Sequence, residues 1–172
     1  MAESARSYTK TLKIGDVAPD FTLKSHVRED WHLADFRGKK NIVLAFVPFA
    51  FSRVCSAQLP SYERELERFR CADTEVVAIS MDSVYALDAW SQAMRTSFPL
   101  LSDFYPQGAV VDLYGVRHPA GMSERAVIVI DKEGIIRHIE VTATPSDLPD
   151  NQKLFEVLSA LRNKDSQAAS QS

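Results

Sequence analysis

The chain has 172 residues, of which 45% are hydrophobic and 25% charged, and its formal net charge is -3. These values are typical of a soluble globular protein of one domain, and they give no indication of a nucleic-acid or anionic-membrane partner. No apolar run approaches the roughly 20 residues of a membrane helix, and the polar segment 1–13 lacks the apolar core of a secretory signal, so we expect a cytoplasmic protein.

The chain contains two cysteines, Cys55 and Cys71, which are too few for a disulfide scaffold. In a reducing compartment both are expected to remain thiols. The four histidines do not have the spacing of metal ligands. The sequence therefore indicates neither a disulfide-stabilised fold nor a metal site.

Two apolar runs rich in β-branched residues, 41–47 and 75–80, predict buried strands. Between them, residues 55–70 have apolar side chains at helical spacing, namely Leu59, Tyr62, Leu66 and Phe69. A strand, a helix and a second strand at this spacing predict a βαβ unit, in which the two strands are parallel.

The next segments continue the alternation of helices and strands. Residues 84–94 predict a helix that begins after Asp82 and Ser83, which are suitable capping residues. Residues 98–101 predict a short strand, in which Pro99 favours an edge position or a strand start. A short helix is predicted over 108–114, closed by a glycine.

The last third of the chain predicts a hairpin and a terminal helix. The strands 125–130 and 135–141 are separated by a four-residue turn that ends in Gly134. An amphipathic helix is predicted over 151–162, and the polar residues after it are rich in Ser, Gln and Ala. We therefore predict an α/β protein of the thioredoxin fold, with a mixed central sheet and helices on both faces. Its domain spans 1–163, and a disordered tail spans 164–172.

Cys55 lies where the first strand of the predicted βαβ unit gives way to the helix. Free backbone N–H groups and the positive end of the helix dipole are found at such a position, and both favour a thiolate. A thiolate is the nucleophilic form of cysteine. A free cysteine is also commonly an inert core residue, so this position alone does not decide between the two roles.

The residues before Cys55 indicate the reactive role. Pro48 stands seven positions before the cysteine, and Ser52 stands three before it. This Pro-x-x-x-Ser-x-x-Cys pattern after a buried strand resembles the signature of the peroxiredoxin family. The Ser52 hydroxyl can bond both the thiolate and a bound peroxide, and Pro48 can cover the sulfur without offering a competing N–H donor.

The peroxiredoxin resemblance extends over nearly all of the predicted domain. Segment 14–23 is similar to the opening of the family, and 98–103 to its segment after the third helix. The runs 48–51 and 101–104 are most similar to the alkyl hydroperoxide reductase E branch, many members of which have one essential cysteine. The family places an arginine at the start of a later strand, and here Arg125 occupies that position. Its permanent charge would favour the thiolate and orient the peroxide oxygens.

Three residues depart from the pattern of the family. Gln58 stands where the family usually has Glu, which keeps a hydrogen-bonding group but removes a negative charge near Arg125 and so weakens their bridge. Ser52 replaces the more frequent Thr and loses the methyl group that fixes its rotamer. Arg53 is bulky and cationic, and it is either a solvated side chain or an extra positive field at the mouth of the site.

Cys71 lies 16 positions after Cys55, which corresponds to roughly 24 Å if the helix is continuous. A disulfide requires Cα atoms within about 7 Å. We therefore expect Cys71 to be structural or incidental, and a role as the resolving cysteine is the minority alternative.

The resemblance implies a cycle without metal, haem or flavin. Cys55 attacks a hydroperoxide and becomes a sulfenic acid, while Arg125, Ser52 and the backbone N–H groups of Val54 and Cys55 bind the oxygens. An external thiol, or a thioredoxin- or glutaredoxin-like protein, then reduces the sulfenic acid. The family also implies a homodimer that packs through loops near the site, with the contact residues Phe49, Tyr85, Phe104 and His118.

Two other functions are compatible with an oxidisable cysteine. A thiol-disulfide oxidoreductase would require a second cysteine three residues after the first, and Gln58 occupies that position. A peroxide-sensing switch or a holdase could use the same cysteine without turnover, and peroxidase assays with a thiol donor distinguish this alternative from the enzyme.

Overall fold

The computed structural model describes residues 4–170. Its strands are β1 Thr22–Ser25, β2 Asp30–His32, β3 Asn41–Phe46, β4 Thr74–Ser80, β5 Leu100–Ser102, β6 Ala126–Ile130 and β7 Ile136–Val141. Its helices are a 3₁₀ helix Leu33–Phe36, α1 Cys55–Arg64, α2 Leu66–Cys71, α3 Val84–Met94, α4 Ala109–Leu113 and α5 Asn151–Ser170. Among these helices, none combines the length and the apolar character needed to span a membrane.

The strands form one mixed sheet in the order β2-β1-β5-β4-β3-β6-β7. Strand β3 is buried along its whole length; it pairs parallel to β4 and antiparallel to β6. The parallel β3–β4 pair and the antiparallel β6–β7 pair confirm the predicted βαβ unit and hairpin.

Side chains of β3 alternate between two hydrophobic layers, as the twofold period of a strand requires. Val43 and Ala45 face a layer that includes apolar side chains of α1, α2, α3 and α5. Leu44 and Phe46 face the other layer, which is formed with α4, the 3₁₀ helix and the segment before β1. The predicted arrangement of helices on both faces of a mixed sheet is therefore confirmed.

The helical segment predicted over 55–70 is divided into α1 and α2, because the chain breaks at Glu65, where φ is -108° and ψ is 12°. The break lets the rings of Tyr62 and Phe69 meet edge to face, with their centroids 5.9 Å apart. In a straight helix these residues would be separated by about 10.5 Å along the axis. The break at Glu65 is thus accompanied by packing of Tyr62 against Phe69 in the buried layer.

β5 begins at Leu100, immediately after Pro99, and lies between β1 and β4. Of the two alternatives that the proline left open, the strand start is therefore the correct one and the edge is wrong. The short hairpin of β1 and β2 and the 3₁₀ helix were not predicted from the sequence. Elements of three or four residues are too short to show a hydrophobic period.

The terminal helix α5 continues to Ser170, where a disordered tail was predicted from residue 164. The residues that follow Leu161 are exposed, so no hydrophobic stripe marks this extension in the sequence. Ala, Gln and Lys are good helix formers, and Asp165 forms an ion pair with Lys132 at 3.1 Å. The last two positions of the predicted tail, 171 and 172, lie outside the described residues.

Candidate active site

The site forms where β3 ends and α1 begins. Pro48 follows β3 and is buried, and Cys55 is the first residue of α1 and is 0% exposed. Val54, the residue before the helix, provides no side-chain cap, and the first turn contains no acidic residue. The positive end of the helix dipole is therefore not compensated by side chains of its own first turn, an arrangement that favours an anion next to Cys55.

The loop between β3 and α1 is held by polar contacts to neighbouring elements. The backbone N–H of Ala50 donates to Asp82 Oδ2 at 2.8 Å, and Asp82 also accepts a hydrogen bond from Ser80. At the other end of the loop, Trp90 Nε1 donates to Ser56 Oγ at 3.1 Å. Asp82 was predicted only as part of a helix cap, and its contact with the loop carries no signal in the sequence.

Phe51 has a φ of +64°, in the left-handed region that residues with a side chain rarely adopt. Its ring is 57% exposed and lies 6.3 Å from the ring of Trp90. Strained backbone of this kind persists only where surrounding contacts enforce it. The loop therefore enters α1 in a conformation that the rest of the fold imposes.

The Ser52 Oγ atom is buried and has no hydrogen-bond partner within residues 4–170. The hydrogen bond to the Cys55 sulfur that the peroxiredoxin resemblance implies is thus not formed here. A buried hydroxyl without a partner is costly unless a ligand or water satisfies it. The described residues also provide no acceptor for the backbone N–H groups of Val54 and Cys55.

Arg125 directly precedes β6 and is only 2% exposed. Its Nη1 donates to Gln58 Oε1 at 2.7 Å, and its Nε donates to the Pro145 carbonyl at 2.9 Å. Gln58 lies three residues after Cys55 on α1, and side chains at this spacing are neighbours on a helix face. The structure therefore brings Arg125 to the first turn of α1, and the bridge to position 58 is retained with Gln.

Gln58 also connects Arg125 to Tyr62. The Gln58 Nε2 donates to the Tyr62 hydroxyl at 2.9 Å. Burial raises the pKa of Tyr62 to about 12, so this phenol stays neutral at physiological pH. The sequence indicated Tyr62 only as a core residue, although its position four residues after Gln58 was a usable signal.

Arg53 is exposed and forms no ion pair within the described part of the chain. This favours the solvated alternative for its side chain. No group of three or more His, Cys, Asp or Glu side chains in residues 4–170 is arranged to hold a metal ion.

Cys71 is exposed at the end of α2, far from Cys55. The side chain of Asn41, the first residue of β3, donates to the carbonyl of Ala72 at 3.1 Å. Cys71 thus lies beside the start of β3, whereas Cys55 follows its end. The six residues of β3 alone span about 20 Å. Cys55 and Cys71 therefore stay far apart, as a continuous helix would place them, although the helix is broken.

Residues 14–139 match the model of the AhpC/TSA family. The chain belongs to this family. This chain is 37% identical over 151 residues to alkyl hydroperoxide reductase E of Mycobacterium tuberculosis, and the alignment covers 87% of this chain and 98% of that protein. It is 31% identical over 162 residues to the chloroplastic 2-cysteine peroxiredoxin of Chattonella marina, covering 88% of this chain and 80% of that protein.

Solved structures agree with this assignment. The reduced 2-Cys peroxiredoxin of Plasmodium vivax matches with a TM-score of 0.80 and 25% identity, over 89% of this chain and 83% of that chain. AhpC of Enterococcus faecalis matches with a TM-score of 0.78 and 26% identity, over 86% of this chain and 90% of that chain. The predicted peroxiredoxin resemblance and the thioredoxin-like fold of this AhpC/TSA protein are thereby confirmed.

The geometry predicts that oxidation forms no disulfide between Cys55 and Cys71 of one chain, because the two thiols lie at opposite ends of β3. The measurement is peptide mass spectrometry of diamide-treated native protein, digested without reduction, with Cys71→Ser as the control. A Cys55–Cys71 peptide recovered from the monomer band of a non-reducing gel would contradict the prediction. A covalent dimer that requires Cys71 would instead show contact between two chains.

Proposed function

We propose that this chain reduces hydrogen peroxide and organic hydroperoxides with electrons from an external thiol, and that Cys55 is its nucleophile. The observation that carries the proposal is the combination of a buried thiol at an uncapped helix start with a buried guanidinium that binds Gln58, one helical turn after the thiol. Membership of the AhpC/TSA family and the 37% identity to an alkyl hydroperoxide reductase support it.

In the first half of the cycle, the Cys55 thiolate attacks the terminal oxygen of the hydroperoxide. A sulfur–oxygen bond forms as the oxygen–oxygen bond breaks, and the electron pair of that bond leaves with the alkoxide or hydroxide. The terminal oxygen keeps its proton, so Cys55 becomes a neutral sulfenic acid. The leaving oxyanion then takes a proton from water.

The residues around Cys55 have separate roles in this step. The guanidinium of Arg125 stabilises the thiolate and the negative charge that develops on the leaving oxygen. The unpartnered Ser52 hydroxyl and the free N–H groups of Val54 and Cys55 hold the peroxide oxygens. Pro48 is buried beside the loop and limits the access of water.

In the second half, an external thiol attacks the sulfenic acid and releases water, which gives a mixed disulfide at Cys55. A second thiol then releases the Cys55 thiolate and leaves as the oxidised reductant. The reductant is a small-molecule thiol or a thioredoxin- or glutaredoxin-like protein. The position of Cys71 at the other end of β3 supports an external reductant. A cycle that consumes external thiols is suited to the reducing cytoplasm, where we place the protein.

We propose in addition that the protein acts as a homodimer through an aromatic surface beside the active-site loop. Phe49 and Phe104 line a groove of about 540 Å³, and they are 52% and 54% exposed. Tyr85 and Tyr105 each stand next to a residue that lines the groove, Ala86 and Phe104, and they are 72% and 89% exposed. Exposed aromatic side chains in such number are typical of an interface. His118 borders a separate pocket and lies outside this surface.

The Cys55→Ser variant is expected to lose peroxidase activity by about 10³-fold or more, since it lacks the nucleophile. The measurement is thiol-dependent peroxide consumption, with circular dichroism to verify the fold and Cys71→Ser as the matched control that keeps most activity. Substantial turnover by folded Cys55→Ser would refute the assignment. Wild-type protein that is oxidised once and never reduced would identify a redox switch instead of an enzyme.

The Arg125→Met variant is expected to need a higher pH to react, because a buried positive charge beside the thiolate is removed. The midpoint of the pH–rate profile with peroxide should rise by about one pH unit. Arg53→Met is the matched control, and its effect should be smaller because Arg53 is exposed and screened by solvent. Equal profiles for Arg125→Met and wild type would show that Arg125 is only structural.

The Phe104→Asp variant is expected to convert the dimer to a monomer, because the substitution places a charge in the apolar interface. Sedimentation velocity of both proteins measures this change. Leu148→Asp is the control, since Leu148 is 57% exposed and does not line the groove. A monomeric wild type, or a Phe104→Asp variant that stays dimeric, would reject this surface as the interface.

A further inference from the structure

A small cavity lies at the start of β3, at the end of this strand opposite to the candidate active site. Its volume is about 100 Å³. Its apolar lining comes from the segment before β1, the 3₁₀ helix, β3 and β6, and it includes Ala18, Leu33, Phe36, Ile42 and Ile130. Ile42 and Ile130 are partners in the β3–β6 pair, and each is 2% exposed. The cavity therefore extends from the surface into the hydrophobic core.

The charged side chains that line this cavity are Asp20, Arg37, Lys40 and Asp131. Asp131 accepts a hydrogen bond from Arg137 Nε at 2.6 Å, and Lys40 forms an ion pair with Glu75 at 3.2 Å. The Asp20 carboxylate accepts a hydrogen bond from the next backbone N–H at 3.0 Å. The only hydrogen bond that Arg37 donates within residues 4–170 comes from its backbone N–H. Its guanidinium is therefore the one charged group of this lining without a polar partner in the described part of the chain.

The Arg37 guanidinium packs closely against Gly134, in the turn between β6 and β7. A Cβ atom at position 134 would lie 2.5 Å from Arg37 Nη2 and 2.9 Å from Nε, so only glycine allows this approach. Gly134 lines the cavity as well. The side chain of Arg37 thus places an unused planar donor group next to the opening, and a guanidinium matches a carboxylate in shape and charge.

The lining determines the size and the charge of the ligand that fits. An apolar cavity of about 150 Å³ accommodates benzene, so about 100 Å³ accommodates roughly four carbon atoms. Apolar walls favour a hydrocarbon body, because its burial removes apolar surface from water. The unpaired guanidinium favours a carboxylate at the other end of the ligand. Asp20 is exposed at the same cavity, and its charge disfavours a ligand with more than one negative charge, such as a phosphate ester.

We propose that this cavity is a binding site for a small monocarboxylate with a branched apolar body of about four carbon atoms, and that the carboxylate pairs with Arg37. The site lies at the start of β3, whereas Cys55 follows its end, so the ligand does not compete with a hydroperoxide. The proposal does not depend on the proposed peroxidase function.

The first test is a titration of the full chain with isovalerate, followed by NMR of its ¹³C-labelled isoleucine methyl groups. Isovalerate has an isobutyl group of the right size and one carboxylate. Saturable shifts should be largest at Ile42 and Ile130, with a Kd on the order of 1 mM. 3-Methyl-1-butanol has the same body without the charge and should bind about three-fold more weakly or less, and acetate should cause no shift at these methyl groups. Isovalerate shifts confined to other isoleucines, or an alcohol that binds as tightly as the acid, would overturn the proposal.

The second test uses matched variants in the same titration. Arg37→Gln should raise the Kd about three-fold or more, and Asp20→Asn should lower it. Lys39→Gln removes the same charge two positions away, outside the lining, and should leave the Kd near that of the wild type. Ala18→Val narrows the cavity and should abolish binding, with the methyl spectrum showing that the variant is folded. Equal effects of Arg37→Gln and Lys39→Gln, or tight binding by folded Ala18→Val, would reject this cavity as the site.

Discussion

The hydrogen bond between Arg125 and Gln58 joins two parts of the site that lie 67 positions apart in the sequence. It connects the start of β6 to the first turn of α1, and both side chains are buried. The sheet makes this contact possible, because β6 pairs with β3 and Ala126 lies opposite Phe46 at the end from which the active-site loop departs. A change in this pairing register by one residue would direct Arg125 to the opposite face of the sheet.

The loop before α1 is determined by contacts at both of its ends. Asp82 holds the backbone of Ala50, and Trp90 holds Ser56 in the first turn of the helix. These two contacts help to fix the left-handed conformation of Phe51 between them. A strained backbone that is fixed before a substrate arrives requires little reorganisation when charge moves, and such pre-organisation is what electrostatic catalysis uses.

The sequence was sufficient to predict the central strands and the hairpin. It also indicated Pro48, Ser52, Cys55 and Arg125 as candidate site residues, and their roles stay predictions. Apolar runs and a fixed spacing carry these signals within short stretches of chain. The contact of Asp82 with the loop depends on packing between distant segments, and it leaves no local pattern in the sequence. The bond from Gln58 to Tyr62, by contrast, is local and follows the spacing of one helical turn. The extension of α5 was missed for another reason, since an exposed helix has no hydrophobic period.

The same burial that favours the first half of the cycle opposes the second. Cys55 is 0% exposed, and a mixed disulfide requires the sulfur of the reductant to reach bonding distance from it. A small hydroperoxide needs a narrow path, whereas a thiol carried by a larger molecule needs the loop before α1 to move. The hydrogen bonds of Ala50 and Ser56 and the ring contact of Phe51 with Trp90 resist that motion, so reduction requires that they be broken. A left-handed residue such as Phe51 stores strain, and leaving that conformation would offset part of the cost of exposing Cys55.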